Sequence, residues 1–250
     1  QGGETITQAS GSPFTVTEGN SKVIDGLSSA TTYNYTVTAK DINGLETAKS
    51  NEITVSTTSG TSAIDYFRSK ATGNWSELTT WESSENGSDN WISATAVPTS
   101  SATSIYIENG NEVTVANPAT ASSVIVKPTA NLTLNVGESL SADNLTIQSD
   151  ATGTGTFLNN GTATITTVTA NQYLSTARNW YVSSPVNAAV APSGFTYYQR
   201  DEAGASWTTQ PFVAGNTFVQ GKGYIALPYA AGSTLTFTGQ LNTDNVDVSL

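Results

Sequence analysis

Between Phe67 and Trp91 the chain reads FRSKATGNWSELTTWESSENGSDNW, a stretch that holds three of its five tryptophans, Trp75, Trp81 and Trp91. Interleaved with the rings are Asn74, Glu77, Glu82, Glu85, Asp89 and Asn90. Residues of these types support two chemistries. An exposed aromatic face packs on the C–H surface of a sugar while nearby amides and carboxylates bond its hydroxyls, so the three tryptophans are candidate glycan-binding residues. Two carboxylates held across a glycosidic bond hydrolyse it, and Glu77, Glu82, Glu85 and Asp89, with Asp201 and Glu202 of the RDEAG stretch, are the candidates. A structural role needs neither chemistry: bulky aromatics bury a large area each and close the open end of a repeat array, which requires an atypical capping unit. The cluster lies immediately before a repeat, where a cap belongs, and the cap is the preferred reading.

The residues that are missing narrow the chemistry further. The chain has no histidine and no cysteine. That removes His-based triads, thiol catalysis, disulfides and the commonest transition-metal ligands together. The carboxylates and amine of residues 103–147, Glu108, Glu112, Lys127, Glu138 and Asp143, do not recur at one strand position, as a hydrolase or lyase site on stacked coils would require. No catalytic residue is assigned and no cofactor is expected. Calcium has one weak candidate site, Asp41, Asn43 and Glu46 in DINGLE, which offer hard oxygens without the EF-hand loop. A hairpin turn accounts for the same residues, with Asn43-Gly44 supplying positive φ, and is preferred.

A net charge of −11 repels phosphate backbones and anionic lipid surfaces, so neither nucleic acid nor an acidic membrane is an expected partner. No apolar run approaches the roughly 18 residues of a membrane helix. No leader is legible at Gln1, so export would depend on sequence upstream of it.

These candidates must be held by strands. Only 12% of residues are charged and helix formers are sparse, while Thr, Ser, Asn and Gly are abundant. That composition suits pleated, half-buried surfaces, and an all-β fold with almost no helix is expected. Three domains are read. Residues 1–57 alternate in short runs (FTV at 14–16, KVI at 22–24, YNYTVTA at 33–39, EITVS at 52–56) separated by turn signals. The polar stretch TSGTSA at 58–63 is a linker. Residues 64–170 carry the three clustered tryptophans and then apolar doublets at Ile105/Ile107, Val113/Val115, Val124/Val126, Leu132/Leu134 and Leu145/Ile147, with offsets of 19 to 21 residues from 105 to 124, 113 to 132 and 124 to 145. A period near 20 with tight corners is the pattern of a short parallel β-solenoid, the antiparallel meander being its rival. Residues 171–250 read as a sandwich-like module, with Trp180, Tyr181, Tyr197, Tyr198 and Trp207 in its core and an alternation still unfinished at Leu250.

The run LSSATTYNYTVTAKDINGLETAKSNEITVST resembles the second half of a fibronectin type III domain, through Leu27, Thr31, Tyr33, Tyr35, Val37, Ala39, Gly44 and Val55, with Ser29 in place of the usual proline. The resemblance implies a sandwich with Tyr33 at its tyrosine corner, and a chain that begins inside that domain or completes it against a neighbour. FRSKATGNWSELTTWE, the repeat, RNWYVSSPV, GKGYIA and LTFTGQLNTDNVDVSL together resemble multidomain surface or secreted proteins of Bacteroidetes-type bacteria. That second resemblance implies an extracellular, adhesion-like or spacer role without catalysis. Expected partners are a host or environmental glycan or protein and the neighbouring domains of a longer chain. A carbohydrate-active protein, either a glycan-binding accessory module or a β-helix hydrolase or lyase, is the alternative.

Overall fold

The structure, a computed structural model, describes Ile24, Leu27 and residues 31–57, 60–201, 204–208 and 212–242. It is all-β, with 50% strand and no α-helix among the described residues. The single helical turn among the described residues is the 3-10 segment Leu78–Thr80. The chain divides into two compact units, residues 1–60 and 61–250.

The first unit pairs β1 (Thr32–Tyr35) with β2 (Ile53–Ser56) antiparallel, in register from Thr32↔Ser56 to Tyr35↔Ile53. Tyr33 is buried and its ring stacks on that of Tyr35. The run FTV at 14–16 lies outside the described residues, as do Lys22 and Val23.

The second unit opens with β3 (Tyr66–Ser69), β4 (Gly73–Asn74), β5 (Trp81–Ser84) and β6 (Ile92–Ser93). Then follow β7 (Ser104–Ile107), β8 (Glu112–Val115), β9 (Ala119–Val126), β10 (Asn131–Leu134), β11 (Ser139–Ile147), β12 (Ser149–Asp150), β13 (Gly153–Thr154), β14 (Thr156–Asn159) and β15 (Thr162–Leu174). The chain alternates between two sheets. Strands β3, β7, β9, β11 and β15 stack parallel in one, and β4, β8, β10 and β14 stack parallel in the other.

The apolar doublets explain this arrangement. In a strand every second side chain faces the same side. When strands stack parallel and in register, each inward residue stands over its counterpart in the previous coil. Phe67, Ile105, Val124, Leu145 and Val168 are successive register partners and all are at most 1% exposed. On the facing sheet Val113 stands on Leu132 and Val115 on Leu134, all four fully buried. Fully burying a side chain of this size contributes about 1.5–3 kcal/mol, so the two rows form the energetic centre of the unit.

The coils pack closely at one corner. A Cβ built on Gly161 would lie 2.4 Å from the Glu138 carbonyl oxygen and 2.5 Å from that of Asn135. Backbone oxygens of the preceding coil cannot retreat as a flexible side chain does. Gly161→Ala is therefore expected to cost about 1–3 kcal/mol through overpacking, read as a lower urea midpoint.

β15 also carries the chain out of the parallel stack. It pairs with β11 up to Ala170 and with β21 (Ser233–Leu241), antiparallel, from Val168 to Leu174. The expected boundary at 170/171 thus falls inside a strand. The core crosses it too: Leu174, Leu235 and Phe237 are buried in the same cluster as the coils. Beyond β15, β16 (Trp180–Val182), β18 (Phe195–Asp201), β19 (Ser206–Thr208) and β20 (Tyr224–Pro228) form an antiparallel sheet ordered β16-β20-β18-β19, and β17 (Val186–Asn187) pairs with β21. Tyr197, Phe212, Phe218, Tyr224 and Phe237 pack there with ring centroids 4.3–5.8 Å apart in the contacting pairs.

The Tyr197 hydroxyl donates to the Pro192 carbonyl oxygen at 2.9 Å. Burial pushes its phenol pKa up, with a smaller push from Tyr229. The folded chain therefore holds this proton to higher pH than the unfolded chain does. The stability linked to Tyr197 is fully present below the unfolded value of about 10 and is lost as pH rises above it toward the folded one. Urea midpoints should fall less steeply above about pH 10 in Tyr197→Phe than in the parent chain.

Candidate ligand groove and the tryptophan cluster

Trp75 follows β4, Trp81 opens β5, and Trp91 precedes β6. Trp75 is 4% exposed and Trp81 fully buried. Their rings meet edge to face, with centroids 5.2 Å apart and planes at 73°. Each indole N–H is satisfied: Trp75 Nε1 donates to the Pro98 carbonyl at 3.1 Å and Trp81 Nε1 to the Trp75 carbonyl at 2.8 Å. Neither ring presents a face to solvent, so neither can stack on a sugar in this conformation. Both belong to the core cluster that contains the stacked coils. Trp91 is half-buried, and the Arg68 guanidinium lies 4.4 Å from its ring centroid.

Three carboxylates of this stretch are engaged separately. Glu82 Oε2 accepts from Arg68 Nε at 3.0 Å and Nη2 at 2.8 Å. Glu77 Oε1 accepts from the Asn74 amide at 2.8 Å. Asp89 Oδ1 accepts from the side-chain amides of Asn86 and Asn90. Glu108, on the coils, is paired with Lys127 at 2.7 Å. Asp201 accepts from the Gly204 backbone N–H at 3.1 Å, and Glu202 lies outside the described residues.

At the weak calcium candidate, Asp41 Oδ1 accepts from the backbone N–H groups of Asn43 and Leu45 at 2.8 and 2.9 Å. Glu46 reaches toward Lys40 at 3.7 Å instead of turning toward Asp41. Of the Asn43-Gly44 pair only Gly44 has positive φ, at 84°, so the turn is closed by the Asp41 carboxylate and one glycine. Among the described residues no group of three or more acidic side chains is placed to hold a metal ion.

A concave feature of the second unit lies elsewhere. A groove of about 320 Å³ has Ile147, Ala170, Val182, Pro185 and Phe237 as its apolar walls. Thr154, Asn171, Gln172 and Ser183 supply polar groups, and Tyr181 stands at the rim, 77% exposed. Among the described residues no charged one lines it. Tyr181 was expected in the core; it projects outward and meets Trp207 edge to face at 5.7 Å. Trp180 packs on the core with Arg178 4.3 Å from its ring centroid.

No family model, curated protein or solved structure matches the chain. Among the described residues no helix is long and apolar enough to cross a membrane. The groove's own geometry therefore has to carry its interpretation.

Three of its polar groups are committed. Thr154 Oγ1 bonds Ser149 Oγ at 2.7 Å, Thr236 Oγ1 donates to Asn171 Oδ1 at 3.0 Å, and Ser183 Oγ donates to the Lys222 carbonyl at 3.1 Å. Gln172 differs. Its side-chain amide makes no hydrogen bond among the described residues. It sits on the face of β15 whose other members, Val168, Ala170 and Leu174, are at most 8% exposed, yet Gln172 is exposed. Sequence reading passed over it. The available signal was the polar residue in the inward series Val168, Ala170, Gln172, Leu174.

Proposed function

We propose that the chain is a non-enzymatic extracellular adhesion or spacer module of a bacterial surface protein. Its second unit would be a short β-solenoid with Trp75 and Trp81 as its cap, and its first a fibronectin type III-like piece. The observation that carries the proposal is the unbroken register from Phe67 to Val168, every member buried. Stacked coils of this kind extend by adding neighbours to one shared apolar column, a form suited to a spacer. A spacer of that form needs no reactive group.

Two features weigh against hydrolysis. Glu77, Glu82 and Asp89 of the tryptophan stretch bond guanidinium and amide partners of their own, and among the described residues no carboxylate lines the groove. The composition without histidine or cysteine and the resemblance to Bacteroidetes-type surface proteins favour the same assignment.

Incubation of the purified chain with a panel of plant, algal and bacterial polysaccharides tests the proposal. Neither reducing ends nor unsaturated products are expected. Product release that is lost in Glu82→Gln or in Asp201→Asn would overturn it and favour a carbohydrate-active enzyme.

A further inference from the structure

We propose that the groove between the end of the coil stack and β16 is a binding site for a neutral saccharide. The proposal deepens the adhesion reading by naming a ligand class for it, at a place distant in sequence from the tryptophans first suspected.

The position of Gln172 points to a ligand. Along β15 the inward positions are apolar, because a polar group buried without a partner costs free energy. Gln172 occupies an inward position and escapes that cost only because the core opens there into the groove. An apolar residue would close the gap and stabilise the fold. The chain instead keeps a solvent-exposed amide whose two donors and one acceptor are open to a ligand.

The surroundings define what the amide would meet. Ala170, Phe237, Ile147 and Val182 offer an apolar wall, and Tyr181 offers an exposed ring at the rim. Such a surface suits a ligand with one apolar face and a hydroxyl-bearing edge, which describes a sugar ring. An amide can accept from one hydroxyl and donate to its neighbour. Charge excludes the other polar classes. Among the described residues the lining has no cation to hold a phosphate, sulfate or carboxylate, and no anion to hold an amine. The chain's net charge of −11 adds to the exclusion of anions. The volume of about 320 Å³ lies at the small end of ligand sites, so the site would take a chain end or a single unit of a glycan.

The test is a neutral and acidic glycan array probed with the full chain, followed by calorimetric titration of the best neutral hit. The parent chain should bind a neutral glycan. Tyr181→Ala and Gln172→Leu should each weaken binding at least tenfold, while Tyr181→Phe, which keeps the ring, stays within threefold. Both positions are exposed, so the variants should fold, and thermal melting should show Gln172→Leu at or above the parent midpoint. Binding of acidic glycans only, binding unaffected by Tyr181→Ala and Gln172→Leu, binding of apolar peptides without sugars, or no binding at all would overturn the site. Absence of binding would leave a spacer role standing, whereas product release from a polysaccharide would remove the non-enzymatic reading itself.

Discussion

Trp81→Ala is expected to destabilise residues 61–250 by roughly 3–5 kcal/mol, the range for truncating a buried aromatic. Trp81 is fully buried, its ring edge packs on Trp75, and its indole N–H is bonded to the Trp75 backbone. Truncation would empty that volume and leave the Trp75 carbonyl without this donor. For a domain held by about 5–15 kcal/mol the loss is large. Trp91→Ala is the internal comparison. Trp91 is half-buried and its distinct contact is with Arg68, worth about 0.5–1 kcal/mol at an exposed site. Urea titrations of both variants should separate them by at least 2 kcal/mol, a margin that follows from these two ranges. Equal and small shifts would mean that the cluster does not close the coil stack.

Leu132→Ala should cost about 2–5 kcal/mol. Leu132 lies in the middle of its row, between Val113 and Phe157 in register, and is fully buried. Atoms above and below belong to strands fixed by backbone ladders, so the cavity cannot collapse cheaply. Leu158, its near neighbour on β14, is 51% exposed, and Leu158→Ala should stay within about 0.5 kcal/mol. Because Val113 and Leu132 touch within one column, Val113→Ala and Leu132→Ala should be non-additive by at least about 0.5 kcal/mol in a double-mutant cycle. Additive losses would mean that the row is not a shared column.

The doublets made the stacked part legible. Two inward residues per strand and a constant offset are enough to pair Val113 with Leu132 and Ile105 with Val124, because side-chain alternation and register are the same information. The third coil escaped the pattern. Its offset grows to 25 residues at Leu132↔Phe157 because the hairpin β12–β13 is inserted between β11 and β14. A periodicity read from spacing fails when one coil lengthens, although its strands still stack. β15 runs across the boundary placed at 170/171 and changes partner there, from parallel to antiparallel.

The tryptophans show the limit of residue type as a guide. Asn, Ser and Glu around Trp75 and Trp81 are compatible with a wet platform, and the lid was preferred on their position before the repeat; the burial of both rings agrees with that preference. Their polar neighbours serve the turns and the backbone, as when the Thr80 hydroxyl donates to the Asn74 carbonyl at 2.8 Å. Gln172 and Tyr181 were illegible as a site because the groove arises where a strand meets a sheet that no local pattern announces.

The two ends of the larger sheet have a consequence for crowding. That nine-stranded sheet runs from β17 to β6, and both of these outermost strands are only two residues long. At the β6 end an incoming strand finds almost no template, which blunts runaway fibre growth there between copies held at high density, whereas β17 pairs with only Gln240 and Leu241 of the nine-residue β21. The smaller sheet ends differently. Its outermost strand β14 is four residues long, carries the exposed Leu158, and has no partner beyond it among the described residues. If copies of this chain do polymerise under stress, the first seam should open at β14, and a lysine in place of Leu158 should slow it.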